Sequence, residues 1–243
     1  MGSERGRSAD WRADRPYPSM RTSDDPSSDD GVARALRGFG PAGLLALLVI
    51  LFTGNLIGTA LVFVWAVRSH TPWRSLGIRR SRRWIQTVTV GLLAGTAFKL
   101  LMKAVVMPVL GADPINPAYH YLAGNSARLP GILFTVIVGG GFGEEVIWRG
   151  YLFERLRKLF GPSVGARLGV LLLSALLFGL AHYPDQGVAG AEQAVVTGLV
   201  FGTVYLATGA LWLPMALHAA FDVTAVLLIY WNLESAVAHW FFR

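Results

Sequence analysis

The stretch Val138-Gly139-Gly140-Gly141-Phe142-Gly143-Glu144-Glu145-Val146-Ile147-Trp148-Arg149 decides how this chain is read. It closes an apolar run that begins at Gly131 and carries no charge before Glu144. A charged side chain at membrane depth costs about 2.5–3.5 kcal/mol on insertion scales, so two adjacent acids there mark a place to look for chemistry. If the segment is helical, Glu145 and Arg149 stand one above the other, with the acid nearer the N-terminus as such pairs prefer. Glu144 then points about 100° away from Glu145 and is not committed to that pair. One acid reads as structural, and the other is free to act as a base.

Composition agrees with a membrane setting. The chain of 243 residues is 53% hydrophobic and 15% charged, whereas soluble domains carry roughly 25% charge. Without cysteine it has no disulfide, zinc-thiolate site or catalytic thiol. Its net charge of +7 does not point to nucleic acid. The basic residues cluster between apolar spans, as topology signals do, so anionic lipid headgroups are the expected partner. Arginine outnumbers lysine, which hints at a GC-rich bacterial genome.

Residues 1–38 are polar and rich in Arg, Asp, Ser and Gly, and are expected to form a disordered tail. A membrane domain is expected over 39–231 and a short tail over 232–243. Six apolar spans are expected: 39–67, 84–110, and others starting near Pro130, Val164, Val188 and Leu211. The fold class is therefore an all-α, polytopic transmembrane bundle with its site inside the membrane. The first loop carries Arg68, Arg74, Arg79, Arg80, Arg82 and Arg83 without an acid, and the third carries Arg155, Arg157, Lys158 and Arg167 against Glu154. Odd-numbered loops are thus assigned to the cytoplasm. Six spans then place both termini outside, against which Arg34 and Arg37 argue.

Two histidines complete the polar set. His182 closes Phe178-Gly179-Leu180-Ala181-His182, and His218 stands four residues before Asp222. With a turn at Gly161-Pro162, Glu144 lies about 25 Å before it and His182 about 30 Å after it, nearly level in an antiparallel hairpin. His218 needs a turn or two of helix from Gly209 to reach a similar depth. The four side chains can converge, and because the amphipathic piece Tyr151–Phe160, with Arg155, Arg157 and Lys158, is expected to run past the membrane into the cytoplasmic interface, they are assigned to the cytoplasmic side.

The series Glu144-Glu145-x-x-x-Arg149, Phe178-x-x-x-His182 and His218-x-x-x-Asp222 resembles the three motifs of the CPBP family, the CAAX prenyl proteases and bacteriocin-processing enzymes also called intramembrane glutamic endopeptidases. The resemblance runs from about Arg128 to Ile229 and implies that the catalytic core lies over about 128–229. It implies that Glu144 activates water for attack on a peptide carbonyl and that His182 positions the water or the substrate. It further implies that His218 and residue 222 face the oxyanion, while Glu145 and Arg149 brace the site. No metal or cofactor is implied, and the partners are a peptide or membrane-protein substrate and the bilayer. Many relatives carry asparagine where this chain has Asp222. An ionised aspartate cannot donate to an oxyanion, so Asp222 either carries a proton or accepts from His218 and fixes its tautomer.

Other readings compete. Glu144, His182 and His218 are adequate zinc ligands, although the His-Glu-x-x-His helix of common zinc peptidases is missing. A scaffold or immunity protein of the same fold would bind without cutting. A coupled carrier would show paired broken helices, which are not evident. The glycines at 139, 140, 141 and 143 are expected to allow close helix packing. Lys99 and Lys103 are expected to snorkel outward or to line the cavity. Trp65, Trp73, Trp84, Trp231 and Trp240 are assigned to interfacial belts, and Gln193 to the interface.

Overall fold

A computed structural model of the chain describes residues 31–79 and 81–242. Arg80 and the first 30 residues of the expected tail lie outside the described residues. The described residues form an all-helical fold, and residues 31–37 of the expected tail are helical. Helix α1 spans Gly31–Arg37 and buries Ala33.

The apolar run over 39–67 is not one span. It folds into α2 (Pro41–Phe52) and α3 (Asn55–Arg68), turned at Gly54, whose φ of 81° suits glycine. Gly58 packs on the Ile50 carbonyl, so the two arms run back to back. The ends of the hairpin meet as well. Trp65 Nε1 donates to the Leu36 carbonyl at 3.1 Å and Arg37 to the Ser69 carbonyl at 3.0 Å. Arms of 12 and 14 residues reach only about 18–21 Å, less than the hydrocarbon core of roughly 30 Å. The hairpin therefore enters and leaves on one side. Trp65, expected in an interfacial belt, is buried in the core against Tyr151.

The remaining helices match the expected order. Helix α4 (Trp84–Val109) and helix α5 (Leu129–Phe160) are long and apolar enough to cross a membrane. The helical stretch Val164–Thr208 is two helices, because Gly187 has non-helical angles (φ 65°, ψ −163°). We denote its arms α6 (residues 164–186) and α7 (residues 188–208). They run antiparallel, with Gly179 against Val195 and Gly198 against Ala175. Helix α8 (Trp212–Tyr230) follows. The expected C-terminal tail holds a further short helix, α9 (Glu234–Ala238). Its Glu234 is buried because Lys103 pairs with it at 3.0 Å.

Leu44, Leu45, Leu48, Leu92, Leu93, Leu172, Leu176 and Leu180 face outward. On helices of this length such a surface belongs in lipid, where every backbone group must be satisfied internally. The chain is a multi-pass membrane protein.

The bundle has two unlike ends. At one, the α3–α4 loop meets the α7–α8 turn: Leu211 N donates to the Gly77 carbonyl at 3.1 Å, Trp212 Nε1 to the Arg79 carbonyl at 2.6 Å, and Arg79 to the Thr208 carbonyl. Arg155 belongs to the same end. It was expected in the cytoplasmic interface, yet it is fully buried. It donates to the carbonyls of Arg37 (2.6 Å) and Gly38 and stacks over Phe39 at 4.4 Å. At the other end lie residues 110–128, the Gly187 turn and α9, joined by Asn116 N to Glu234 Oε1 and Gln186 Nε2 to the Tyr119 hydroxyl.

Candidate active site

Glu144 lies midway along α5, where the backbone is not α-helical. Residues Thr135–Glu144 and Val146–Leu152 form π-helical turns, a local widening often found at functional sites. The glycines before it let two neighbours approach. A Cβ at Gly141 would sit 2.6 Å from that of Ala219 on α8, and one at Gly140 would sit 2.8 Å from the Asp222 carboxylate. Only hydrogen fits there, so α8 carries His218 and Asp222 right against α5.

The two acids are used differently, as the spacing implied. Glu145 is fully buried, and its Oε1 accepts from Arg149 at 2.7 Å. The same oxygen takes a bond from His218 Nδ1 at 2.8 Å, a link between α5 and α8 that spacing did not reveal. A carboxylate only accepts, so Nδ1 of His218 carries a proton and Nε2 faces the site. The Arg149 guanidinium also stacks over the Phe178 ring at 4.6 Å, joining the acid pair to the helix of His182.

Glu144 has no arginine. Its Oε1 accepts from Asn55 Nδ2 at 2.8 Å, and its Oε2 has no hydrogen-bond partner among the described residues. Oε2 stands 4.0 Å from His182 Nε2 and 3.9 Å from His218 Nε2. Both gaps are too long for direct hydrogen bonds. His182 Nδ1 donates to the Phe178 carbonyl at 2.8 Å, which leaves Nε2 of the neutral ring as an acceptor. Asp222 Oδ2 lies 3.4 Å from His218 Nε2. It is thus Glu145, not Asp222, that holds the Nδ1 proton, while Asp222 stands on the Nε2 side. Glu144, His182, His218 and Asp222 are brought together, with Glu145 and Arg149 directly behind them.

Sequence reasoning missed Asn55. It lies at the tip of the α2–α3 hairpin, and only the break at Thr53-Gly54-Asn55 within an apolar run signalled it. Thr59, one turn further on, donates to the Gly143 carbonyl at 3.2 Å and seats the hairpin on α5.

Asn55, Glu144, His182, His218 and Asp222 line a cavity of about 370 Å³ with Lys99, Lys103, Gln193 and Phe221. It continues past Asp113, Asn116, Tyr119, Gln186 and Glu234, so it leads to the end of the bundle away from the arginine-rich loops. Near that end, burial foremost and the carboxylates of Asp222, Asp185 and Glu144 push the Tyr119 phenol above its ordinary value, so it stays a neutral hydroxyl. Lys99 and Lys103 line the cavity and do not snorkel outward. Gln193, assigned to the interface, is inside with them. Among the described residues no group of three His, Cys, Asp or Glu side chains has the arrangement to hold a metal ion.

Residues 126–224 match the family model described as type II CAAX prenyl endopeptidase Rce1-like. The match spans all seven named residues of the three sequence motifs and leaves out Asn55, Lys99, Lys103 and Glu234. No curated protein and no solved structure matches the chain.

Proposed function

We propose, from a chain whose residues 126–224 are a domain of the Rce1-like CAAX protease family, that this protein hydrolyses peptide bonds within the membrane using water activated by Glu144. The family is one of proteases; the glutamate mechanism is our reading. The observation that carries it is Oε2 of Glu144, which has no hydrogen-bond partner among the described residues and lies 4.0 and 3.9 Å from two imidazole nitrogens, on a residue that lines the cavity.

The reacting water donates one proton to Glu144 Oε2 and the other to His182 Nε2. Asn55 holds Oε1 of the same carboxylate and so fixes its plane. Glu144 takes the first proton as the water oxygen bonds to the peptide carbonyl carbon. The carbonyl oxygen, now negative, faces His218 Nε2. That ring is oriented through Nδ1 by Glu145, itself neutralised by Arg149. Asp222, whose Oδ2 lies 3.4 Å from Nε2, favours by its charge a proton on the cavity side of the ring before substrate arrives. Collapse of the intermediate returns the Glu144 proton to the leaving amine. A new carboxylate and a new N-terminus result, and Glu144 is regenerated.

The substrates are peptides or tails of membrane proteins that reach the cavity from the bilayer. With the arginine-rich loops in the cytoplasm, the cavity opens at the outer face. This reverses the cytoplasmic side expected from the sequence. The depth count sets Glu144 level with His182 and carries no information on the end toward which the space between the helices widens.

The deciding experiment compares new peptide N-termini in membranes carrying the wild type or Glu144→Gln. General-base loss lowers hydrolysis about 10²–10⁴-fold, so the expected products vanish while the melting temperature holds. Identical product profiles would end the hydrolase reading. Activity lost to a chelator would transfer the role to a metal.

A further inference from the structure

We propose that Lys99, with Gln193, is the receptor for a carboxylate carried by the substrate. The inference rests on the hydrolytic reading of the cavity and assigns part of its specificity to a helix outside the family-matched segment.

Lys99 is 7% exposed, in the wall of the cavity that contains Glu144. A buried ammonium is costly unless it is paired, and the other cations of the bundle interior show how pairing is done. Lys103, four residues on, has Glu234 at 3.0 Å, and Arg149 has Glu145 at 2.7 Å. Arg155 has no carboxylate, but it is committed to two backbone carbonyls and lines no part of this cavity. Lys99 is different. Among the described residues no carboxylate lies within ion-pair distance of it. Its Nζ donates to Gln193 Oε1 at 2.9 Å and sits 4.7 Å above the Phe221 ring. A carbonyl acceptor and a π face both suit a protonated amine, and neither neutralises it.

The pair is complementary to a carboxylate. An ammonium has three donors, of which Gln193 takes one, and the Gln193 amide nitrogen remains to donate. One carboxylate oxygen can thus meet Lys99 and the other Gln193. Phe221, beneath Lys99, is adjacent in the chain to Asp222, which stands beside His218. A carboxylate held here lies a short stretch of peptide from the scissile bond. Glu144 and Asp222 share the cavity and disfavour a more highly charged anion such as a phosphate. The carboxylate is either a chain terminus or an aspartate or glutamate side chain, and both present the same group.

The test uses the full chain in detergent with Glu144→Gln, so that ligands bind without turnover. The probes are dansyl-labelled apolar pentapeptides with a free C-terminus, with an amidated C-terminus, or amidated with one internal aspartate. At least one acid should bind about tenfold more tightly than the plain amide. That preference should fall to about one with Lys99→Gln and survive with Lys99→Arg. The acid that is preferred identifies the source of the carboxylate. Equal or absent binding of acids and amide overturns the inference, as does a preference that Lys99→Gln leaves intact with an unchanged melting curve. Hydrolysis of the same peptides by the chain with Glu144 in place is read separately. A Lys99-dependent preference without cleavage would sink the hydrolase reading alone, and Glu144-dependent cleavage without a preference would sink this one alone.

Discussion

The two ends of the bundle spend their polar groups in opposite ways. At the arginine-rich end, Arg37, Arg79, Arg155, Trp65 and Trp212 donate to backbone carbonyls of other segments, and the chain is tied shut. At the other end the helices part around a cavity lined by Glu144, two histidines, two lysines and several amides. The first arrangement satisfies carbonyls that helix ends leave bare. The second keeps Oε2 of Glu144 without a hydrogen-bond partner beside the cavity, with Oε2 of Glu145 likewise unpartnered behind it, a cost that stability alone does not justify. Charge density is therefore a poor guide to function here. The most basic end is the structural one.

Three experiments press on that contrast. The largest effect is all-or-none. Because the chain has no cysteine, Asp113→Cys and Arg74→Cys place one thiol near each end. A membrane-impermeant maleimide added to intact cells should label Asp113→Cys and leave Arg74→Cys untouched. The reverse pattern would restore a cavity that opens to the cytoplasm.

Next is Arg155→Met, at the closed end. It strands the buried carbonyls of Arg37 and Gly38 and should lower unfolding stability by about 3 kcal/mol, read as a drop in melting temperature in detergent. Activity per folded molecule should stay close to that of the wild type. A selective loss of activity would mean that the closed end also serves the chemistry.

The smallest effect belongs to the hairpin tip. Asn55→Ala frees Oε1 of Glu144 and should slow hydrolysis about tenfold, equivalent to about 1.4 kcal/mol in the barrier, chiefly in kcat, with little change in melting. An unchanged rate would reduce Asn55 to a packing residue.

How much of this was legible depended on whether the information was local. The spacing of Glu145 and Arg149 on one helix predicted their ion pair, and the pair is there at 2.7 Å even though the backbone around it is π-helical. The order of the later helices was legible too, because each is an apolar run bounded by turn residues such as Gly161-Pro162 and Gly209. The hairpin was not. Hydropathy adds its two arms into one span-length run, and it takes the contact of Gly58 with Ile50 and the bonds that close the hairpin's ends to show that they fold back. Arg155 and Trp65 looked interfacial for a similar reason. Their types suit a membrane surface, while the carbonyls of residues 36–38 that bury them come from a segment expected to be disordered.

The sequence by itself determined that the chain is a helical membrane protein, that residues 126–224 carry the motifs of a protease family, and that its two adjacent acids have different surroundings. Those properties follow from composition and from spacing along single helices, where 1.5 Å per residue and a fixed rotation leave little freedom. Tertiary structure alone decided that Glu145 also holds His218, that Asn55 reaches Glu144, that Lys99 has no acid beside it, and toward which end the cavity runs. Each depends on the depth and rotation of one helix against another. Small residues such as Gly140, Gly141 and Ala219 set that contact through the shapes of both partners at once, and no single segment contains both.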